Sequence, residues 1–405
     1  MSISQNFPNT RPSLNLNFAR SKTLDPRITF TRTSTGTYVD ESGVIRNAVA
    51  DEPRFDHDPE TGECLGLLIE EQRTNRVTNN EDLSLWKQNS NPTLNSNDTV
   101  SPDGNTTADK VTQTNQVFTG VSTDMSGITT NTVYSCSVFI KPDGDTTTRF
   151  GFYDTSNWQG SLDTDWSSGE PSTNGSLGGA SDIVYEEYPN GWYRASFKAS
   201  TQSNAFAGTV SFHCHPDRTG TGKSAWFWGA QLEAGAFPTS YIPTSGGTAT
   251  RNPDNASMTG NNFSDWYNPT EGTFNSDVSF NSNNATHYIW QVGKASNRML
   301  SAGRVGGNSW ILLAINNNSF TDNLSSTYNS GRNKWCASYS NDGFFGVENG
   351  GNIISSNNAD VPTLDINILY LGSYVNSSLY LNGHISQLTY YPVRLPNSTL
   401  QTLTK

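Results

Sequence analysis

The stretch Val133-Tyr-Ser-Cys-Ser-Val-Phe-Ile140, followed by Lys141-Pro-Asp-Gly144, decides how this chain folds. Its β-branched and aromatic side chains favour a strand, and Pro-Asp-Gly favours a turn. The alternation of strand and turn continues through Trp192-Tyr-Arg-Ala-Ser-Phe197 and Ala225-Trp-Phe-Trp-Gly-Ala-Gln-Leu232. Short strands at this spacing are typical of an antiparallel β-sandwich or jelly roll. We therefore predict a jelly-roll domain over residues 81–250.

The flanking segments also favour strands. Thr239–Thr248 is predicted to be an extended linker, because Pro and Gly interrupt regular structure there. Runs such as Gly272–Phe280 and His384–Tyr391 predict a second sandwich over residues 251–405, which ends in a short helix near Leu395–Leu403. Residues 1–80 contain short hairpins whose thin core must lean on a neighbouring domain.

The composition agrees with an all-β chain. Of 405 residues, 45 are Asn, 49 are Ser and 46 are Thr, and only 15% are charged. Short polar side chains compete for backbone hydrogen bonds in helices and suit turns instead. An aromatic content of 11% argues against a disordered chain. The predicted fold is all-β: a hairpin-rich N-terminal docking region followed by two antiparallel β-sandwich (jelly-roll) domains.

Charge and hydropathy exclude several classes of partner and location. A net charge of −12 disfavours binding to nucleic acid. The sequence predicts no membrane span, since it has no run of about 18 apolar residues. The first 21 residues lack the apolar core of a secretory signal. Four scattered cysteines fit assembly in a reducing cytoplasm. We expect a protein that is made inside a cell and works outside it.

Arginine is concentrated near the N-terminus. Eight of the 25 Lys and Arg residues are arginines within residues 1–80. The planar guanidinium pairs well with carboxylates across protein interfaces. We therefore predict that residues 1–80 attach the protein to a partner, with Arg11, Arg20, Arg27 and Arg32 as docking residues. The alternative is an ordinary first sheet packed on the next domain.

Few residues have the pattern of a metal site. His213-Cys-His215 places two histidines on one face of a strand, but zinc needs three or four ligands. We predict that these are structural residues and that the chain has no metal site of this kind. Asp143 and Asp145 lie in an oxygen-rich turn and are weak candidates for a structural calcium ion, although Asp is common in turns. No other cofactor is predicted.

Two tryptophans are candidate carbohydrate-binding residues. Trp158 follows Asp154-Thr-Ser-Asn157 and Trp166 follows Asp163-Thr-Asp165, without the apolar alternation of a core strand. A flat ring beside amide and carboxylate groups can stack on the CH groups of a sugar while its hydroxyls find hydrogen-bond partners. Loop anchoring or contact between subunits is the alternative for both.

Sequence patterns of catalysis are missing. Residues 255–405 lack the Glu-x-Asp-x-x-Glu strand motif of concanavalin-like glucanases, although glycoside hydrolysis needs two opposed carboxylates. The chain also lacks Gly-x-Ser-x-Gly, a phosphate loop and His-Glu-x-x-His. We predict that the protein is not an enzyme.

Three groups of motifs resemble modular structural proteins of tailed bacteriophages, in particular fibre-like and head-decorating proteins of marine and cyanobacterial phages. The first comprises Phe30–Asp40, Glu52–Asp58 and Gly66–Asn75; the second comprises Asn190–Arg194, Trp228–Gly235 and Thr239–Thr244; the third is Leu381–Leu395. The resemblance implies a carbohydrate-binding-module-like jelly roll at 81–250. It also implies a concanavalin-like or laminin-G-like lectin sandwich at 251–405.

The resemblance implies a virion structural protein, made in the host cytoplasm and displayed on the particle surface. It would be a tail fibre or a capsid decoration protein, because phages use these modules at both places. Other virion proteins would be its partners, and it would form a homo-oligomer, for example a trimer, that adheres to host surface glycans. Two alternatives remain open: a dedicated receptor-binding lectin and a polysaccharide-degrading enzyme.

Overall fold

The fold is described by a computed structural model that covers residues 10–114, 116, 118–220, 222–281, 286–293, 298–305, 308–316, 319–327, 331–357, 360–362, 366–374 and 379–405. Residues 1–9 of the predicted docking region lie outside the described residues. The described part of the chain contains 31 strands and three short α-helices, and its sheets are antiparallel. The predicted all-β class is therefore confirmed.

The N-terminal region forms short strands, as its turn sequences predict. Asp40–Gly43 joins β3 to β4, and Asp58–Gly62 joins β5 to β6. A helix, α1 (Phe18–Ser21), follows the first strand. The strands are β1 (Leu14–Asn17), β2 (Thr29–Thr31), β3 (Gly36–Val39), β4 (Ile45–Ala48), β5 (Phe55–His57), β6 (Cys64–Ile69) and β7 (Arg73–Asn75).

The next twelve strands build a sandwich of two six-stranded sheets, in the orders β16-β17-β12-β19-β10-β9 and β15-β14-β13-β18-β11-β8. Phe150, Phe197 and Phe212 are among the residues that fill the core between them. The strands are β8 (Lys87–Asn89), β9 (Thr93–Thr99), β10 (Ala108–Thr112), β11 (Gly120–Asp124), β12 (Val133–Asp143), β13 (Thr147–Tyr153), β14 (Trp158–Asp165), β15 (Ser172–Leu177), β16 (Ser181–Tyr188), β17 (Trp192–Ser200), β18 (Ser211–His215) and β19 (Ser224–Ala234).

The remaining strands belong mainly to a second sandwich, with α2 (Asn261–Ser264) and α3 (Asn397–Leu403) at its periphery. No helix in the described part of the chain is long and apolar enough to cross a membrane. The strands are β20 (Ala249–Arg251), β21 (Asn255–Thr259), β22 (Gly272–Phe280), β23 (His287–Val292), β24 (Arg298–Val305), β25 (Asn308–Asn316), β26 (Ser319–Thr327), β27 (Arg332–Ser340), β28 (Gly343–Glu348), β29 (Ile354–Ser356), β30 (Ile368–Leu371) and β31 (Gly383–Tyr391).

N-terminal strands complete this second sandwich. One sheet has the order β29-β28-β27-β22-β31-β6-β5, with β1 also paired to β31, and the other has the order β2-β21-β30-β23-β24-β25-β26. Leu14, Leu16, Leu67 and Ile69 point into the shared core and are almost inaccessible to solvent. The hairpins thus lean on the C-terminal sandwich, although the jelly roll follows them in sequence. Attachment to a partner through residues 1–80 stays a prediction.

The chain passes between the sandwiches twice, and the two passages pair with each other. Strands β7 and β20 form an antiparallel ladder in which Asn75, Thr74 and Arg73 face Ala249, Thr250 and Arg251. In the sequence, β6 comes directly before β7 and β21 comes directly after β20, and both β6 and β21 belong to the second sandwich. The jelly roll is therefore an insertion between β6 and β21. The fold is therefore tied together by long-range contacts.

A buried ionic cluster lies beside the ladder, and we define it by Arg32, Arg54, Glu70, Arg251 and Asp254. All five side chains are at most 1% exposed. Arg54 lies 2.8 Å from Glu70 and 2.5 Å from Asp254, and Arg32 lies 3.1 Å from Asp254. Burial opposes ionisation of Glu70, but the charges of Arg251 and Arg54 hold its pKa well below the ordinary value. Asp254 is 222 residues from Arg32 and 200 residues from Arg54, so its two ion pairs join distant segments of the chain.

The predicted linker has no regular secondary structure but is firmly bound. The backbone N–H of Ser240 donates to Glu70 (2.8 Å), and that of Thr244 donates to Asn80 (2.8 Å). Ile242 donates its backbone N–H to Gln231 (2.8 Å). Glu70 and Gln231, which lie in segments that resemble phage modules, and Asn80 thus hold the linker against both sandwiches.

Candidate functional site

One sheet of the jelly roll carries an aromatic and polar outer face. Side chains of β13 and β18 alternate between the two faces, so Phe150 and Phe212 fill the core. Tyr153, Trp158 and His213 meet on the opposite face, where Trp158 lies at the start of β14. The structure thus brings the predicted sugar-binding residue Trp158 to a surface built by three adjacent strands.

Ring contacts hold Trp158 in place. Its ring centroid lies 5.3 Å from that of Tyr153 and 5.5 Å from that of His213, and the guanidinium of Arg149 lies 5.3 Å from the same ring. Arg149 is itself held by an ion pair with Asp163. Trp158, Tyr153 and His213 are each only half-buried. The cluster is therefore ordered by its own contacts yet partly open to solvent, and we call it the Trp158 face.

The histidines of this face are neutral at physiological pH. Burial lowers the pKa of His213 to about 4 and that of His215 to about 3. Their rings stack with centroids 5.8 Å apart. Among the residues that the structure describes, no group of three or more His, Cys, Asp and Glu is placed to hold a metal ion. Both histidines act here as aromatic groups, and the Nδ1 of His215 lies 3.2 Å from the carbonyl oxygen of Thr119.

Hydrogen-bonding side chains continue the Trp158 face across neighbouring strands. Asp124 accepts from Lys87 (2.6 Å) and from Ser211 (2.8 Å), and Asn89 donates to Ser122 (3.0 Å). Ser122 lies directly opposite His213 in the register of β11 and β18, which places it on the same face. Donors and acceptors therefore lie beside the aromatic rings, an arrangement that suits a neutral, hydroxyl-rich ligand.

The structure corrects the expectation for Trp166. This side chain is 2% exposed, its ring packs 5.3 Å from Tyr193, and its Nε1 donates to Thr148 (3.0 Å). No face of its ring is open to a sugar. Its polar sequence neighbours favour a loop, but the chain turns inward after β14 and closes the end of the core.

The four predicted docking arginines have different surroundings. Arg11 and Arg20 are exposed, and Arg27 is half-buried and pairs with Asp25 at 2.8 Å. Arg32 must be corrected: its side chain is inaccessible and belongs to the buried ionic cluster, so it cannot reach a partner. Docking by Arg11, Arg20 and Arg27 stays a prediction.

The calcium candidates are each paired with a lysine. Asp143 lies 2.8 Å from the Nζ of Lys110, and Asp145 lies 3.2 Å from the Nζ of Lys223. The hydrogen bond from Lys110 lowers the pKa of Asp143 below its ordinary value. An ammonium group on each carboxylate would compete with a calcium ion, so these residues offer little to a structural metal.

A cleft of about 800 Å³ separates the jelly roll from the second sandwich. Strands β16 and β17 supply one wall, and the other wall includes Asp56 and His384. Glu186 projects into the cleft, where it is open to solvent but has protein on either side. Desolvation raises the pKa of this carboxyl, with a smaller contribution from the charge of Asp56.

Asp56 and His384, which line the cleft, form a hydrogen-bonded chain with Ser279 that the sequence patterns did not indicate. The Oγ of Ser279 lies 3.1 Å from the Nδ1 of His384, whose Nε2 lies 2.9 Å from the Oδ2 of Asp56. The three residues occupy positions 56, 279 and 384. No local motif spans such separations, so only the sheet pairing of β5, β6, β31 and β22 reveals the chain.

Comparisons with known proteins identify no family. No family model matches the chain, and no curated protein matches it. Solved structures match parts of it. The carbohydrate-binding module CBM40 of the Ruminococcus gnavus IT-sialidase, bound to α2,6-sialyllactose, is 16% identical over 34% of this chain and 85% of that chain, with a TM-score of 0.30.

Two further matches are similarly distant. The NanB sialidase of Streptococcus pneumoniae is 14% identical over 36% of this chain and 26% of that chain, with a TM-score of 0.31. The binding domain of botulinum neurotoxin DC, in complex with rat synaptotagmin II, is 11% identical over 38% of this chain and 40% of that chain, with a TM-score of 0.30. Identities of 11–16% and TM-scores near 0.30 give no information on the function of this chain.

Proposed function

We propose that this protein is a structural component of a tailed-phage virion, displayed on the particle surface, and that it binds host glycans through the Trp158 face. One observation carries the glycan-binding part: Trp158, Tyr153 and His213 form a partly open aromatic cluster beside hydrogen-bonding side chains. Aromatic rings offer flat apolar surface, and amide, hydroxyl and charged groups pair with sugar hydroxyls.

Three features support the virion part of the proposal. The sequence motifs resemble phage modules, and many of their side chains fix the linker and the buried ionic cluster. Such links keep two sandwiches in one orientation, which suits a protein that projects from a particle. The four cysteines are free thiols, in keeping with synthesis in the host cytoplasm.

The proposal extends to assembly. Exposed Arg11 and Arg20 would contact another virion protein of the capsid or tail, and repetition around the particle would make the protein a homo-oligomer, for example a trimer. We propose that no cofactor is needed, since Asp143 and Asp145 already hold lysines.

Glycan binding is tested with Trp158→Ala on a glycan array. We expect binding to fall by about 5- to 30-fold, because loss of a stacking ring removes on the order of 1–2 kcal/mol. Trp226→Ala is the matched control, since this half-buried tryptophan lies in the other sheet and donates to Asp98. Binding that survives Trp158→Ala would contradict the assignment. It would favour the alternative of a dedicated lectin that binds through its C-terminal sandwich.

The location is tested by electron microscopy of phage particles labelled with an antibody against this protein. Label on capsid or tail would support the proposal, and purified particles without the protein would contradict it.

A further inference from the structure

We propose that Ser279, His384 and Asp56 form a nucleophile, a general base and a positioning carboxylate at the interdomain cleft, and that they hydrolyse short-chain, neutral carboxylic esters. This proposal departs from the prediction, made from missing sequence motifs, that the protein is not an enzyme. The activity is separate from glycan binding by the Trp158 face, since the two sites share no residue.

The hydrogen bonds set the protonation of the histidine. The carboxylate of Asp56 can only accept at neutral pH, so the Nε2 of His384, 2.9 Å away, carries the proton. The Nδ1 is then the free acceptor for the hydroxyl of Ser279 at 3.1 Å. A nucleophile bonded to a base that a third group orients is the signature of an activated serine. The second oxygen of Asp56 accepts the backbone N–H of Val39 at 2.6 Å, which fixes the carboxylate.

The sheet places these groups on one face. Ser279 and His384 are directly opposed on β22 and β31, whereas Asp56 lies on β5, beyond β6. Gly66, the β6 residue paired with Asp56, has a φ of 109°, and a Cβ there would lie 2.2 Å from the carbonyl oxygen of Ile385. Only glycine allows β6 to approach β31 this closely, and Asp56 reaches His384 across β6.

Two members of this hydrogen-bonded chain, Asp56 and His384, line the cleft. Ser279 is partly exposed. Glu186 and Glu187 line the same cleft, so its walls repel anionic esters. The cleft volume accommodates a small neutral ester.

The reaction follows from these positions. The Oγ of Ser279 would bond to the carbonyl carbon of the ester while its proton passes to the Nδ1 of His384. Collapse of the tetrahedral adduct would break the bond to the alcohol oxygen, which takes the proton from His384 and leaves as the alcohol. Water would then add to the acyl–Ser279 ester and lose a proton to His384. Collapse of this second adduct would break the bond between the acyl carbon and Oγ, which takes the proton back from His384. The products are the carboxylic acid and free Ser279, and water is the only co-reactant.

The first experiment measures hydrolysis of p-nitrophenyl acetate by the full chain. We expect turnover that falls by about 10²–10⁴-fold, to the background rate, in Ser279→Ala. Ser276→Ala is the matched control, because Ser276 lies on the same strand but is buried and distant from His384. Equal rates for the wild type and Ser279→Ala would overturn the proposal.

The second experiment needs no variant to fold. An alkyl fluorophosphonate is added to the wild-type protein, and the labelled peptide is identified by mass spectrometry. We expect a single adduct on Ser279, and no adduct there would overturn the proposal.

Asp56→Asn tests the positioning role. An amide can hydrogen-bond but carries no charge to stabilise the imidazolium, so the rate should fall and the pH–rate profile should change. An unchanged profile would assign Asp56 a merely structural role and overturn its part in the proposal.

Discussion

At the scale of single residues, the two neutral histidines of the Trp158 face make stability depend on pH. The native pKa values of about 4 for His213 and about 3 for His215 lie below the value of about 6.5 in an unfolded chain. Below pH 6.5 the unfolded state therefore binds protons that the native state excludes. The stability that the two neutral histidines contribute is fully present above pH 6.5 and is lost as the pH falls towards 3.

We expect the free energy of unfolding to fall by roughly 2–5 kcal/mol between pH 6.5 and 4, measured by urea denaturation. In His213→Gln/His215→Gln this slope should flatten, with a modest loss of stability at pH 7. Glu70 also has a lowered pKa, but its loss of stabilising charge begins only below about pH 4.5. Most of the change in stability between pH 6.5 and 4.5 therefore reports the histidines and not Glu70. The same slope in the double variant would contradict the prediction.

The buried ionic cluster gives a second prediction at this scale. Asp254→Asn should destabilise the protein by about 3–5 kcal/mol, because it removes the negative charge that pairs with the buried guanidinium groups of Arg32 and Arg54. Asp25→Asn removes a more exposed partner of Arg27 and should cost at most about 1 kcal/mol. Chemical denaturation of both variants measures the difference, and equal losses would show that the cluster is no more important than a surface pair.

At the scale of elements, β1 acts as part of the C-terminal sandwich. Leu14 and Leu16 are 1% and 2% exposed in its core. Leu14→Ala and Leu16→Ala should each lower the free energy of unfolding by about 2–5 kcal/mol. Asn15→Ala, an exposed position on the same strand, should have little effect. Wild-type stability in both leucine variants would mean that residues 1–80 can be separated from the sandwich.

At the scale of the whole molecule, assembly is predicted to depend on the exposed N-terminal arginines. Arg11→Gln/Arg20→Gln should reduce incorporation into particles, quantified by immunoblot of purified virions, while thermal stability is unchanged. Arg46→Gln is the control, because this exposed arginine already pairs with Asp40 at 2.6 Å. Normal incorporation of the double variant would contradict the docking role. Binding to duplex DNA should be undetectable at physiological salt, given the net charge of −12.

The sequence by itself determined the all-β class and the position of many strands and turns, because alternation and turn residues act over a few neighbouring positions. Val133–Ile140 lies within β12, and Asp40–Gly43 and Asp58–Gly62 are hairpin turns, as predicted. It also named Trp158 as a candidate sugar-binding residue, and the structure leaves this ring half-buried.

Only the tertiary structure decided which strands share a sheet, because such pairing depends on burial between segments hundreds of residues apart. It placed β1 beside β31, buried Arg32 and Trp166, and brought Asp56, Ser279 and His384 together. The residues next to an arginine in the sequence do not indicate whether a distant carboxylate will pair with it, as Asp254 pairs with Arg32. The sequence around His384 likewise does not indicate that Ser279 and Asp56 will lie beside it in the folded sheet.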